Sequence, residues 1–135
     1  MEQRKPLVKL VDIKKEFPGV KALKGVSLEI LPGEVHGLVG ENGAGKSTLI
    51  KIMMGAYTAT SGEIFVDGVR QDIRNPQQAR ALGLGAVYQD VTLAPHLTVA
   101  ENFFLGCQPR KSGRVDWKTM YRSVQKTLDE LNIRV

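Results

Sequence analysis

Residues 40–48 have the sequence GENGAGKST, which limits the possible folds more than any other stretch of this chain. They satisfy the pattern G-x-x-x-x-G-K-[ST], which is typical of loops that hold nucleotide phosphates. An apolar run, residues 35–39, precedes the loop, and apolar side chains recur at helical spacing over residues 46–56. A phosphate loop needs a strand leading in and a helix leading out. We therefore predict a strand at 35–39 and a helix at 46–56, apolar on enough of its surface to pack on a sheet.

The residue types within the loop have separate chemical roles. The glycines allow backbone angles that other residues avoid, and they let the chain approach a phosphate closely. Lys46 carries a charge that can reach the β- and γ-phosphates, while backbone amides at the helix start face the anion. Ser47 has a hydroxyl suited to Mg²⁺, and Thr48 can add a contact to phosphate. The predicted nucleotide-binding residues are Gly40, Glu41, Asn42, Gly43, Ala44, Gly45, Lys46, Ser47 and Thr48.

The rest of the chain predicts an α/β fold. Strands are expected at 7–13, 26–30 and 84–88, with a hairpin turning at Asp67-Gly68. Helices are expected after the Asn75-Pro76 pair, at 99–105 behind the Thr98/Glu101 capping-box spacing, and after Asp116. Repeats, low-complexity tracts and flexible linkers do not occur in the sequence, so we treat residues 1–135 as one domain.

The chain has 19 Lys and Arg against 14 Asp and Glu, a formal net charge of +5. Such a surplus fits a polyanion or an acidic membrane surface, or else simply solvated lysines. We favour solvated lysines, because the basic residues are scattered and the aromatics are few for a nucleic-acid face. The densest basic cluster, residues 109–114, is predicted to be a solvated loop between helices.

The single cysteine, Cys107, cannot form a disulfide within the chain, which fits a reducing compartment. The sequence contains no apolar window long enough for a signal peptide or a membrane span. If the protein works at a membrane, we expect another subunit to anchor it.

The stretch FPGVKALKGVSLEILPGEVHGLVGENGAGKSTLIKIMMGAYTATSGEIFVDG closely resembles the nucleotide-binding subunits of ABC transporters. Within that family, four stretches are similar to bacterial importers of monosaccharides such as ribose, galactose and xylose, namely FPGVKAL, GEVHGLVGENGAGKSTLIKI, TSGEIFVDG and LTVAENFFLG. The resemblance runs from about residue 8 to the end. It implies an ABC-type P-loop NTPase fold with an amino-terminal antiparallel β subdomain, and ATP and Mg²⁺ as cofactors.

The resemblance also assigns roles to residues outside the loop. Phe17 matches the aromatic that stacks on adenine, with Val20 and Ala22 as weaker apolar contacts beside it; alternatively Phe17 is an ordinary core residue. Gln89 matches the Q-loop glutamine, whose carbonyl can bind Mg²⁺; alternatively it is a polar residue that ends a strand. The loop that follows, residues 90–97, would then face the membrane partner.

The implied partners are transmembrane permease subunits, a second nucleotide-binding domain and, indirectly, a sugar-binding protein, with no nucleic acid. The implied location is peripheral, at the cytoplasmic face of the inner membrane. A GTPase is disfavoured, because the chain contains no N-K-x-D motif.

The sequence contains no match to the parts with which the family hydrolyses ATP. These parts are a glycine-serine signature, a Walker B strand with its catalytic glutamate, and a switch histidine. His36 and His96 do not occupy the switch position, and Asp129-Glu130 lies on the solvated face of an amphipathic helix. We therefore assign no catalytic residue and expect the chain to stop inside the helical subdomain. In the family's sheet, strands from the missing half separate 35–39 from 84–88, so both should expose apolar side chains here.

Three functions remain open at this point. The leading one is the amino-terminal part of a sugar-importer ATPase, which couples ATP binding and hydrolysis to carbohydrate uptake. The alternative is a non-catalytic nucleotide-binding or interaction fragment of a truncated ABC protein. An ABC protein of translation or repair is the third, and the stretches similar to the sugar importers argue against it.

Overall fold

The structure, a computed structural model, describes residues 5–87 and 93–134. The chain divides into two compact units, one within residues 1–87 and the other within 88–135. Each unit has a separate cluster of buried side chains.

A four-stranded antiparallel sheet forms the framework of the first unit. Its strands are β1 (Val8–Phe17), β2 (Val20–Ile30), β3 (Ser61–Val66) and β4 (Val69–Gln71), in the spatial order β2-β1-β3-β4. β1 and β2 are longer than predicted because the two residues Pro18-Gly19 join them directly, so Phe17 still pairs with Val20. The predicted hairpin at Asp67-Gly68 is confirmed. Both turn residues have positive φ, 51° and 76°, as a tight two-residue turn requires.

Two helices pack in the same unit, α1 (Lys46–Met53) and α2 (Pro76–Ala81). α1 buries Leu49 and Ile52 in the core cluster, which confirms that this helix packs on the sheet. It ends three residues earlier than predicted. α2 begins where expected, because the Asn75 side chain accepts a hydrogen bond from the Gln78 backbone N–H at 2.9 Å. The cluster consists of Leu10, Ile13, Leu23, Leu49, Ile52, Ile64, Ile73 and Ala79.

The predicted strands at 35–39 and 84–88 are wrong for the residues that the structure describes. Residues 35–39 and 84–87 run outside the sheet, and residue 88 lies outside the described ranges. A strand needs a neighbouring strand with which its backbone groups can pair. Neither edge of the sheet, β2 or β4, pairs with these segments. The expectation that both expose apolar side chains is confirmed, since Val35, Val39 and Val87 are almost fully exposed.

The second unit contains two helices and a small hairpin between them. Its elements are α3 (Val99–Phe103), β5 (Arg110–Lys111), β6 (Arg114–Val115) and α4 (Trp117–Glu130). The capping box is confirmed: the Thr98 hydroxyl accepts from the Glu101 N–H, and the Glu101 carboxylate accepts from the Thr98 N–H. Asp116 caps α4 as predicted, accepting from the Thr119 N–H at 3.0 Å. The buried cluster of this unit consists of Ala100, Met120 and Val124.

The basic cluster at 109–114 differs from its prediction as a loop. β5 and β6 pair across Ser112-Gly113, whose φ values of 52° and 80° suit a two-residue hairpin turn. A solvated loop was predicted because strands of only two residues carry no detectable alternation. In the portions 5–87 and 93–134, no helix has the length and apolar character needed to cross a membrane.

Candidate phosphate-binding site

The amino terminus of α1 lacks a side-chain cap. Gly45 occupies the N-cap position with φ 90°, and no side chain bonds to the free amides of the first turn, which also contains no acidic residue. The first four N–H groups of a helix have no partner within the helix and carry its positive dipole end. The start of α1 is therefore free to bind an anion through its backbone.

Gly45 also joins the loop to the sheet. A Cβ added to Gly45 would lie 2.7 Å from the Ala22 carbonyl oxygen and 2.6 Å from Leu23 Cδ2. Any side chain here would push the loop away from β2, and its φ of 90° is in the region that favours glycine. Glycine at this position thus sets both the direction of the helix start and its contact with β2. The sequence motif predicts glycine here but gives no sign of its contact with Ala22 and Leu23.

The side chain of Lys46 folds back over the loop. Its Nζ donates hydrogen bonds to the carbonyl oxygens of Gly40, at 2.6 Å, and Glu41, at 2.8 Å. The Ala44 N–H donates to the same Glu41 carbonyl at 3.2 Å, which closes a turn inside the loop. The ammonium group is consequently held at the mouth of the loop, beside the uncapped helix start.

The remaining loop residues are open to solvent. Asn42, Gly43 and Ser47 are exposed, and Thr48 is half-buried. A shallow cleft of about 360 Å³ lies between the loop and β2, lined by Lys21, Ala22, Leu23, Lys24, Val26, Gly43 and Ala44. Its two lysines add positive charge beside the loop, which suits a polyanionic ligand.

Phe17 ends β1 with its side chain partly exposed, 36% of it accessible, and it does not belong to the buried cluster. Its ring meets that of Tyr57 edge-on, with the centroids 5.4 Å apart. Lys15 Nζ lies 5.1 Å from the centre of the Phe17 ring and donates to the Thr58 carbonyl. Tyr57 follows the carboxyl end of α1, whereas the phosphate loop precedes its amino end. Neither Tyr57 nor Lys15 was predicted from the sequence, because nothing along the chain relates them to Phe17.

Two further residues considered from the sequence are Gln89 and His36. Gln89 falls outside the described residues. His36 Nδ1 lies 2.8 Å from Glu34 Oε1, so this histidine is engaged with a neighbouring carboxylate. The pKa of Glu34 is lowered, first by the hydrogen bond from the Leu31 N–H and then by His36.

A glycine loop that closes on its own lysine ahead of an uncapped helix defines a P-loop nucleotide-binding protein. The family follows from comparison with known proteins. Residues 23–135 match the ABC transporter family, so the chain belongs to that family.

Two curated relatives are both named as ribose import proteins, which form one branch of the ABC transporter family. The chain is 55% identical over 131 residues to "Ribose import ATP-binding protein RbsA 1" of Rubrobacter xylanophilus, covering 97% of this chain and 26% of that protein. It is 51% identical over 126 residues to "Ribose import ATP-binding protein RbsA 2" of Escherichia coli O157:H7, covering 93% and 25%. The chain therefore spans about a quarter of the length of these relatives.

Solved structures confirm the fold class, an α/β P-loop NTPase of ABC type. An ATP-binding cassette of an ABC transporter matches with a TM-score of 0.77 and 28% identity, covering 96% of this chain and 55% of that one. A dimeric cassette in a post-hydrolysis state, bound to ADP and Pi, matches with a TM-score of 0.69 and 26% identity, covering 94% and 58%.

Proposed function

We propose that this chain is the ATP-binding portion of a sugar ABC importer ATPase, whose whole protein couples ATP binding and hydrolysis to carbohydrate uptake. The observation that carries the proposal is the ammonium of Lys46, held by the Gly40 and Glu41 carbonyls in front of the uncapped amino terminus of α1. The relatives that are named as ribose import proteins support the choice of sugar as the transported class.

The loop would bind the phosphates of ATP chiefly through its backbone. The amides at the start of α1 donate to phosphate oxygens, and the helix dipole favours the negative charge. Lys46 turns its Nζ from the carbonyls of Gly40 and Glu41 toward the β- and γ-phosphates. Because the loop already holds this side chain close by, little conformational entropy is lost when it changes partners.

The exposed hydroxyl of Ser47 in the loop suits Mg²⁺, which prefers oxygen ligands and retains several waters. The exposed hydroxyl of Ser47 is the first proposed ligand, and the side-chain carbonyl of Gln89 is the second. Bound Mg²⁺ would neutralise charge on the phosphates.

Phe17 is proposed to stack on the adenine ring, for which its partial exposure leaves room. Its contacts with Tyr57 and Lys15 fix the ring, so that less rotamer freedom is lost on binding. Such a contact contributes affinity for a flat base without distinguishing one purine edge from another.

The proposed partners in the whole protein are transmembrane permease subunits and a second nucleotide-binding domain, with a sugar-binding protein acting indirectly. A dimeric arrangement is known for one structural neighbour, the cassette bound to ADP and Pi. The proposed location is the cytoplasmic face of the cell membrane, through those permease subunits.

Titration of the 135-residue chain with a fluorescent ATP analogue and Mg²⁺ tests the proposal. We expect saturable binding that Lys46→Ala weakens about 10- to 100-fold, the range for one charge-assisted hydrogen-bond partner. Arg80→Ala, which removes an exposed cation from α2, is the matched control and should leave binding unchanged. Absence of a saturable, Mg²⁺-dependent signal would refute nucleotide binding by this loop.

Measuring phosphate release from ATP by the same chain distinguishes nucleotide binding from hydrolysis. Since no catalytic residue is assigned within residues 1–135, we expect release at the rate of the buffer alone. Steady release that Lys46→Ala abolishes would show that these residues suffice for hydrolysis and would contradict the assignment.

A further inference from the structure

One segment of the second unit is strongly basic. Residues 102–128 contain six Lys and Arg and a single carboxylate, Asp116, whereas the rest of the chain has thirteen of each sign. This segment therefore has a net charge of +5 and contains the hairpin β5–β6 and most of α4, with Glu101 before it and Asp129 and Glu130 after it. The six cations are Arg110, Lys111, Arg114, Lys118, Arg122 and Lys126.

Most of these cations have no carboxylate partner. Lys126 lies 3.7 Å from Glu130, while the other five form no ion pair with any residue of the described ranges. All six are exposed. Asp116 is itself occupied as the cap of α4, where it accepts from the backbone and hydroxyl of Thr119. A surface with this many unpaired cations attracts polyanions.

The hairpin and α4 are held together in one arrangement. The Asp116 N–H donates to the Pro109 carbonyl at 2.8 Å, joining the base of the hairpin to the start of the helix. The pKa of Asp116 is lowered chiefly by its bonds from Thr119, and also by the charges of Lys111 and Arg122. The hairpin is thereby joined to the start of α4, where Lys118, Arg122 and Lys126 recur every four residues and so share one face of the helix.

An exposed aromatic pair lies on the same helix. The rings of Trp117 and Tyr121 stack with their centroids 6.2 Å apart and 28° between their planes. Trp117 is 46% exposed and Tyr121 is 53% exposed, so neither is a core residue. Trp and Tyr beside Lys and Arg are the residue types that bind at the headgroup level of a bilayer.

We propose that the hairpin β5–β6 and the amino-terminal half of α4 form a surface that binds anionic phospholipid headgroups. The cations would attract the negative surface, and the Trp117–Tyr121 pair would enter the boundary between headgroups and acyl chains. This surface lies in the second unit and is independent of the phosphate loop and of nucleotide.

The same charges could attract a nucleic acid, but the aromatic geometry favours the membrane. Bases bind to single-stranded-nucleic-acid proteins by stacking on free aromatic faces. In this chain Trp117 and Tyr121 stack on each other, so each covers part of the other's face.

The test is vesicle binding by the 135-residue chain without nucleotide at about 0.1 M salt, where exposed charges are screened beyond about 10 Å. Trp117 is the single tryptophan, so its emission reports directly on the proposed surface. We expect binding and a blue shift with mixed phosphatidylserine–phosphatidylcholine vesicles, and neither with phosphatidylcholine alone. Since each cation near an anionic surface contributes about fivefold in affinity, Lys111→Ser/Arg114→Ser should weaken binding about 25-fold. Tyr121→Ser should reduce the blue shift while far-UV circular dichroism remains unchanged.

The matched control is Lys5→Ser/Arg80→Ser, which removes the same charge from exposed positions of the first unit that lie outside the proposed site. It should change vesicle binding by no more than about twofold, because neither residue belongs to the proposed surface and exposed charges are screened at this salt concentration. The proposal is overturned if the emission does not shift, if the two double variants weaken binding equally, or if a single-stranded oligonucleotide binds more tightly than the anionic vesicles.

Discussion

The Nζ atom of Lys46 lies 2.6 Å from the carbonyl oxygen of Gly40, so the first helical side chain of α1 closes the loop onto its first residue. This bond places a positive charge in front of helix amides that no side chain caps. A phosphate that enters the loop encounters the charge and the amides already in position. The proposed affinity therefore depends on a backbone whose shape is set by Gly45 and its contact with β2.

Replacing Gly45 by alanine should destabilise the chain more than replacing Gly43. Both glycines have positive φ, 90° and 85°, so either alanine is strained by about 1–2 kcal/mol. At Gly45 the added Cβ also meets the Ala22 carbonyl oxygen, whereas at Gly43 nothing lies within 4 Å. We expect a free energy of unfolding lower by about 1–3 kcal/mol more for Gly45→Ala than for Gly43→Ala. Urea unfolding of the two variants measures the difference.

An equal decrease in the free energy of unfolding of both variants would show that only backbone strain destabilises them. The contact of Gly45 with β2 would then contribute nothing to stability. In the titration with the fluorescent ATP analogue, Gly45→Ala should likewise weaken binding more than Gly43→Ala. Gly45→Ala displaces the helix start, whereas Gly43→Ala leaves it in place.

Two adjacent residues of α1 should differ sharply in their contribution to stability. Leu49 is 2% exposed in the core cluster, and Ile50 is 39% exposed on the other side of the helix. Leu49→Ala removes buried methylene groups and leaves a cavity, so we expect a loss of about 2–5 kcal/mol. Ile50→Ala should cost about 1 kcal/mol or less, since it also introduces the best helix former. Urea or thermal unfolding tests both, and similar losses would contradict the packing of α1 on the sheet.

Acid should weaken α4 through its cap. The pKa of Asp116 is lowered from 3.8 by hydrogen bonds from Thr119. The unfolded chain binds this proton more tightly than the folded chain, so the stabilisation is complete above about pH 3.8 and is lost as the pH falls through the lowered pKa. Asp116→Asn keeps a capping oxygen at every pH, and its helical circular dichroism should therefore fall less on acidification. Asp116→Ala, the control, should show reduced helicity already at neutral pH. An acid response in Asp116→Asn as steep as in the parent would exclude the cap as its cause.

The sequence predicted those features that depend on a few neighbouring residues. The Asp67-Gly68 turn, the Asn75 and Asp116 caps and the Thr98 capping box all depend on side chains within three or four positions of the backbone they bond. The loop glycines and Lys46 belong to the same class, because the motif spans only eight residues.

Features that depend on residues distant in the chain could not be predicted from the sequence. The apolar run 35–39 has the composition of a buried strand, but a strand forms only where another strand pairs with it. Likewise, the packing of Phe17 on Tyr57 joins residues far apart in the chain that no local pattern relates. The basic residues of the second unit are close together in the sequence, but only the pairing of β5 with β6 and the bond from the Asp116 N–H to the Pro109 carbonyl place the hairpin at the start of α4.

The exposed valines before the phosphate loop should govern the solubility of the chain. Val35 is 100% exposed and Val39 is 91% exposed, in a segment whose backbone pairs with no described strand. Unpaired apolar segments associate with one another, and lysine on such a segment opposes this. Val35→Lys/Val39→Lys should raise the concentration at which light scattering begins, and the free energy of unfolding should change by no more than about 0.5 kcal/mol. The control Gln77→Lys/Gln125→Lys adds the same charge at exposed polar positions. Equal gains in solubility from the two double variants would attribute the effect to net charge, whereas a loss of stability in the valine variant would show that these side chains are packed in solution.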